Sequence, residues 1–171
     1  MRRFSEKPVD REVILTCIQA ARLAPSAENV QPWRFIVIDD PVVKSDFGKK
    51  AFSGIYRATQ WALKAPVLIV LLARPDLLAN RIGSFIQKVP FYLLDMGISG
   101  EHLVLQAQEM GLGTCWIGWF DVNKTRKFFK VPKSIKICQL MAMGYPSPDW
   151  KRKPHRRRPL EDLVSFNRWV L

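Results

Sequence analysis

Residues 24–33 read Ala-Pro-Ser-Ala-Glu-Asn-Val-Gln-Pro-Trp, and this stretch separates a helical pattern from a strand pattern. Two prolines, Pro25 and Pro32, bracket polar residues that follow neither periodicity, which predicts a loop. The loop carries one hydroxyl and two carboxamides, those of Ser26, Asn29 and Gln31. Because proline fixes its own φ angle, these groups would form a stiff array of donors and acceptors suited to a polyhydroxylated ligand. The alternative is a helix-to-strand turn whose polar groups only cap the backbone.

The chain on both sides of this loop alternates helical and strand patterns. Apolar residues recur at helical spacing from Val13 to Ala21, behind the N-cap candidate Asp10. Segments 67–73 and 135–143 are apolar without alternation, which is typical of central strands in a sheet covered on both faces. The pattern predicts an α+β or α/β sandwich in one domain, 1–171, with a basic C-terminal segment, 151–171. The other predicted elements are strands over 33–38 and 114–118, and helices over 42–64 (weak at Ser53-Gly54), 91–110 and 122–129.

Two further features concern the helices. Gly97 and Gly100 lower the helix propensity of segment 91–110, which predicts close approach of another backbone. Segment 161–171 is expected to be a terminal helix or an arm.

Composition excludes disordered and fibrous classes of protein. The 171 residues are 48% hydrophobic and 25% charged, as in ordinary globular domains. A chain of this length has little material for a second lobe, so a large ligand would need walls from a second copy. The three cysteines show no C-x-x-C spacing, the N-terminus has no apolar signal core, and the longest apolar run, 65–73, is about half the ~20 residues that cross a bilayer. These features predict a protein of the reducing cytoplasm.

Charge is the unusual property of this chain. The 27 basic and 15 acidic residues give a net charge of +12, which attracts phosphates, nucleic acids or anionic surfaces. The excess could form a solvated tail, attract a nicotinamide phosphate or bind nucleic acid, and the tail reading is preferred because few aromatic residues interleave with the charges. Six of the basic residues fall within eight positions: Lys151, Arg152, Lys153, Arg156, Arg157 and Arg158.

Motifs for side-chain catalysis are absent from the sequence. It has two histidines, His102 and His155, and no G-x-S-x-G, no P-loop and no G-x-G-x-x-G after a strand. Gly111-Leu112-Gly113 ends a predicted helix instead of beginning one. If the protein is an enzyme, a cofactor is expected to supply the chemistry.

Four segments resemble the FMN-dependent nitroreductase family. Segment 24–33 is similar to its A-P-S-x-x-N-x-Q-P-W motif, and Arg2-Arg3-Phe4-Ser5-Glu6-Lys7-Pro8-Val9 is similar to its entry segment. Segment 109–118, which reads Glu-Met-Gly-Leu-Gly-Thr-Cys-Trp-Ile-Gly, resembles its later G-L-G-T segment, and 157–164 resembles its basic-P-L-E-E end. These four segments stand in the family's order and span nearly the whole chain.

The resemblance implies an α+β homodimer, in which each subunit has a small, mostly antiparallel sheet between helices and two FMN molecules lie at the interface. It implies ping-pong transfer of a hydride from NADH or NADPH through flavin N5 to nitroaromatic, quinone or similar acceptors, with no side chain acting as acid, base or nucleophile. The residues it assigns to FMN are Pro25, Ser26, Asn29 and Gln31 at the ribityl chain or ring edge, Ile117, Gly118 and Trp119 beside the isoalloxazine, Arg157 with His155 at the phosphate, and Arg2 at the pyrimidine.

The chain departs from the family pattern at its start. Family members usually carry an Arg-x-Ser triplet that binds phosphate and ribityl groups, and this sequence begins at Met1, where that triplet would end. The phosphate is therefore expected to depend on Arg156 to Arg158, unless the true start lies upstream. One of Trp116 and Trp119 is a candidate for limiting the size of the acceptor. Two alternatives remain open: reductive dehalogenation or flavin breakdown on the same fold, and a nucleic-acid-binding protein with a vestigial flavin site.

Overall fold

The computed structural model describes residues 1–75, 88–151 and 154–169. The described chain forms an α+β fold around a four-stranded sheet of order β1-β2-β4-β3, and every neighbouring pair is antiparallel. The strands are β1 (Trp33–Ile38), β2 (Val67–Ala73), β3 (Gly113–Ile117) and β4 (Lys136–Gly144).

The segments 67–73 and 135–143, predicted as central strands, form the centre of the sheet. All seven residues of β2 are buried, and β4 pairs with both β2 and β3. A strand in this position has both faces covered, so it has no need for alternating polar residues. The apolar sequence of β2 and β4 therefore follows from their central place.

Helices cover both faces of the sheet. One core lies between the sheet and the helices α1 (Arg11–Arg22) and α3 (Phe91–Glu109), and includes Ile14, Ile69 and Leu103. The other lies on the opposite face, under α2 (Pro41–Ala51), α4 (Val122–Phe128) and a 3-10 helix, and includes Phe47 and Leu140. The described helices are α1 (Arg11–Arg22), α2 (Pro41–Ala51), the 3-10 helix Gly54–Lys64, α3 (Phe91–Glu109), α4 (Val122–Phe128) and short 3-10 turns at Ala27–Asn29 and Leu160–Asp162.

Three details differ from the sequence-based expectations. The helix predicted over 42–64 is two helices that break at Phe52-Ser53, and the second is 3-10. Gly100 makes room for the indole of Trp116, a side chain and not another backbone, whereas an added Cβ at Gly97 would meet no atom within 4 Å. The C-terminal segment forms only a 3-10 turn in its described part. Among the described helices, none is both long and apolar enough to span a membrane.

Candidate functional site

The loop between α1 and β1 has a strained backbone. Glu28, Asn29 and Gln31 have φ angles of 52°, 55° and 49°, in the left-handed region that side chains other than glycine rarely adopt. The Ser26 Oγ accepts a hydrogen bond from the Gln31 backbone N–H at 2.9 Å, and Gln31 Nε2 donates to Asn29 Oδ1 at 3.1 Å. The structure therefore brings the three predicted polar residues together, beside an exposed Pro25. Such strain persists only where surrounding contacts fix it, and it is concentrated at ligand sites.

Three polar side chains of α3 hold this loop and the end of α1. Asp95 Oδ1 accepts from the Ala27 backbone N–H at 3.0 Å, the Ser99 hydroxyl donates to the Ala21 carbonyl at 3.0 Å, and the His102 ring lies 3.3 Å from the Ala20 carbonyl. The sequence analysis missed the first two residues. The spacing of these polar residues could have revealed them in the sequence, because positions 95, 99 and 102 fall on one face of an otherwise apolar helix.

Asp95 is a buried carboxylate with one hydrogen bond to the loop. Burial raises the pKa of Asp95, and the hydrogen bond from Ala27 opposes that rise. The protein thus retains a group that is costly to ionise at the point where α3 fixes the loop.

The segment 117–119 begins with the last residue of β3, at the other edge of the sheet. Ile117 is buried in the core, so only its main chain is available to a ligand. Gly118 is exposed, and a Cβ there would meet only Gln139 Oε1, at 3.7 Å. Trp119 is half-exposed but fixed, because its indole N–H donates to the Ile55 carbonyl at 3.0 Å. Packing within the fold does not require a glycine at position 118, because a side chain would have room there. The glycine therefore serves to keep the backbone accessible to a ligand.

An open cleft of about 430 Å³ adjoins this segment. Its volume and mostly apolar lining are those of small-molecule sites, which are typically about 300–1,000 Å³. Trp116 forms one wall of the cleft. It is one of the two tryptophans that the sequence offers as candidates for limiting the size of the acceptor. The lining residues are Leu71, Leu93, Met96, Gly97, Trp116, Cys138 and Gln139.

Two polar side chains lie in the apolar cleft. Burial raises the pKa of the Cys138 thiol to about 11. The Oε1 atom of Gln139 is buried and accepts no hydrogen bond from the described residues. An orphaned acceptor of this kind is consistent with a ligand that brings its own polar edge into the cleft.

The loop and segment 117–119 lie at the same end of the sheet but at opposite edges. Trp33, just after the loop, pairs with Ala73 at the end of β2, and Lys136 at the start of β4 also pairs with Ala73. The last residue of β3, Ile117, points toward this same end. Three interstrand spacings separate β1 from β3, which is about 14 Å. Within one chain, the Ser26 loop and Gly118 are therefore separated by the width of the sheet.

The predicted phosphate and pyrimidine cations are exposed or stacked. His155 and Arg157 are exposed and make no hydrogen bond or ion pair with any other described residue. The Arg2 guanidinium carbon lies 5.0 Å from the centre of the Trp61 ring, in a cation–π contact. Arg152 and Lys153 fall outside the described ranges.

A sequence model of the Nitroreductase family matches residues 1–145 of this chain. The chain belongs to the nitroreductase family. The match includes three of the four segments that resemble this family, 2–9, 24–33 and 109–118, and the family resemblance and the α+β fold are confirmed. Segment 157–164 lies outside the matched residues, so its resemblance stays a prediction. Nitroreductase-family proteins are oxidoreductase enzymes.

Three similar proteins illustrate the range of the family. A protein named NADH dehydrogenase from Thermus thermophilus is 29% identical over 192 residues, which cover 97% of this chain and 90% of the relative. A solved structure of an FMN-dependent nitroreductase from Clostridium difficile R20291 is 28% identical with a TM-score of 0.72, over 99% of this chain and 94% of that one. A zebrafish (Danio rerio) protein named iodotyrosine deiodinase is 26% identical, over 96% of this chain and 62% of the relative.

Proposed function

We propose that this nitroreductase-family protein is a homodimeric flavoenzyme that binds FMN. It takes reducing equivalents from NADH or NADPH and passes them to nitroaromatic, quinone or similar acceptors. The observation that carries the proposal is the strained, polar Ser26–Gln31 loop at the same end of the sheet as the open cleft, in a chain of this family. The names of the Thermus thermophilus and Clostridium difficile proteins support the nicotinamide and the FMN.

The residues of the loop and cleft fit a flavin mononucleotide. The loop offers hydroxyl and carboxamide groups to a sugar alcohol, and the cleft offers an apolar wall with one orphaned polar atom to a planar ring. Arg157 and His155, which make no hydrogen bond or ion pair with the other described residues, are donors for a phosphate, which binds guanidinium groups by charge-assisted hydrogen bonds. Arg2, held over Trp61, is the cation we assign to the polar edge of the ring.

A second subunit accounts for the separation of the two halves of the site. Since β1 and β3 are the opposite edges of the sheet, roughly 14 Å apart, we assign the Ser26 loop of one subunit and segment 117–119 of the other to one flavin. Exposed apolar side chains supply a surface for association: Leu94, Ile98 and Leu105 follow one face of α3, and Phe166 and Trp169 in the C-terminal segment are 81% and 80% exposed. An exposed apolar helix face of this kind is typical of an interface.

The protein's contribution to the reaction is binding, orientation and exclusion of water. A bound flavin supplies the centre that accepts a hydride from the nicotinamide and gives it to the acceptor. Gly118 leaves the main chain open to the ring, and Asp95 holds the loop that binds the sugar alcohol. Trp116 narrows the space beside the ring, so it favours flat acceptors. A positive charge from Arg2 stabilises negative charge that develops at the ring edge.

Purification and a matched pair of variants test this function. The purified protein should be yellow, should elute as a dimer and should bleach with NADH or NADPH in the absence of oxygen. Ser26→Ala should weaken FMN binding about tenfold, since one hydrogen bond to ligand and one within the loop are lost. Thr16→Ala, which removes an exposed hydroxyl from α1, should leave the affinity unchanged. A colourless protein that takes up no added FMN would refute the proposal.

Reductive dehalogenation is the second candidate, because of the similarity to the deiodinase. Incubation of the reduced enzyme with an iodinated phenol, followed by measurement of released iodide, distinguishes the two activities. Release of iodide at a rate comparable with nitroaromatic reduction would favour the second candidate.

A further inference from the structure

A β-bulge turns two neighbouring side chains of β4 toward the cleft. Leu71 pairs with Gln139 but Leu72 pairs with Ile137, which leaves Cys138 unopposed. Ile137 and Leu140 pack in the core under α2, whereas Cys138 packs in the core under α3. In a regular strand, alternate residues face the same side of the sheet, so Cys138 would face the core under α2 together with Leu140. The extra residue of the bulge instead places Cys138 beside Gln139, on the side of the cleft.

The carboxamide oxygen of Gln139 is unsatisfied in the protein alone. This Oε1 atom is buried and accepts no hydrogen bond from the described residues. Burial of such a group destabilises the protein, and natural proteins retain it where function needs it. Gly118 lies against the same oxygen, with its Cβ position 3.7 Å away. Gln139 therefore adjoins the stretch of main chain that we assign to the flavin ring.

We propose that Gln139 recognises the amide-like edge of a planar heterocycle in the cleft. A carboxamide offers an acceptor and a donor side by side, and a turn about its last bond exchanges them, so it matches an edge on which N–H stands beside C=O. The remaining lining is apolar or aromatic, which fits the faces of a flat ring. Two ligands of the proposed function carry this edge: the flavin, at its pyrimidine N3–H, and the nicotinamide, at its carboxamide. The inference rests on that function and names the residue that selects the ring.

Gln139→Leu separates a ligand-binding role from a structural one, because the two roles predict opposite changes in stability. Leucine has similar size and removes the unsatisfied group, so the melting temperature of the FMN-free protein should stay equal or rise. Binding of the ligand should weaken about fivefold, the usual effect of one lost hydrogen bond. Lys136→Ala, at an exposed position of the same strand outside the cleft, is the matched control and should leave the discrimination described below intact.

Two ligand analogues identify the source of the edge. In the flavin arm, fluorescence titration compares FMN with N3-methyl-FMN, which lacks the N–H. In the nicotinamide arm, stopped-flow reduction compares NADH with its 3-acetylpyridine analogue, which lacks the amide nitrogen. The protein should discriminate within one arm, and Gln139→Leu should lose that discrimination. The assignment would be overturned if, in both arms, Gln139→Leu discriminated between the two ligands as well as the unmodified protein does. It would also be overturned if Gln139→Leu lowered the melting temperature. Failure of the unmodified protein to bind any FMN would instead refute the proposed function.

Discussion

Asp95 should control both the shape of the Ser26 loop and the pH dependence of stability. Its Oδ1 accepts the Ala27 N–H at 3.0 Å across 68 residues of sequence, and its side chain is buried. Asp95→Ala leaves that N–H without its partner, which should lower the free energy of unfolding by about 1–3 kcal/mol. For a protein of this size each kcal/mol corresponds to roughly 2–4 °C in melting temperature. FMN affinity should fall as well, because the strained loop loses its anchor.

Asp95→Asn keeps an acceptor oxygen but cannot ionise, so it isolates the effect of charge. Burial raises the pKa of Asp95, so the folded protein binds this proton more tightly than the unfolded chain does. The contribution of Asp95 to stability is thus greatest below the unfolded pKa of about 3.9, and it declines as pH rises through the higher folded pKa. The unmodified protein should therefore lose stability relative to Asp95→Asn over that interval, and the difference should be constant above it.

Urea unfolding at a series of pH values from 4 to 8, followed by circular dichroism, measures both effects. The unmodified protein, Asp95→Asn and Asp95→Ala are compared in the FMN-free state, so that flavin binding does not contribute. Two results would refute the reasoning: an Asp95→Ala protein as stable as the unmodified one, or stability curves for Asp95→Asn and the unmodified protein that run parallel across the whole range.

Two further predictions concern the cleft wall and the phosphate. Gly97→Ala should raise the melting temperature by about 2–4 °C, since alanine favours the helix by about 1 kcal/mol and the added methyl meets open space. Gly100→Ala should lower the melting temperature and change the tryptophan fluorescence, because the added methyl would overlap the Trp116 ring. Equal shifts of the melting temperature in the two variants would contradict this account. Arg157→Ala should weaken FMN binding about tenfold in isothermal titration but leave riboflavin, which has no phosphate, unaffected, with the exposed Arg22→Ala as control. An equal loss for both ligands would contradict a phosphate role.

The sequence determined the elements and the family of this protein. The strand Trp33–Ile38 was predicted with the bounds that the structure has, and the strongly apolar segments 67–73 and 135–143 identified β2 and β4 as central strands. Local patterns suffice for these features because burial on both faces removes polar residues over the whole length of a strand. The motif at 24–33 and the G-L-G-T segment were sufficient for the nitroreductase family, which the family match confirms. The assignment of individual residues to FMN remains a prediction.

Only the tertiary structure showed which groups meet. The anchor from Asp95 to Ala27 spans 68 residues, and the place of Trp116 depends on Gly100 in a different element. Gln139 reads in the sequence as an ordinary strand residue, because a β-bulge leaves no local signal: its position depends on the register between β2 and β4. The periodicity of a sequence predicts which face of a helix or strand is buried. Contacts between elements that are distant in the sequence depend on strand register and on packing, and neither can be predicted from the residues of one element alone.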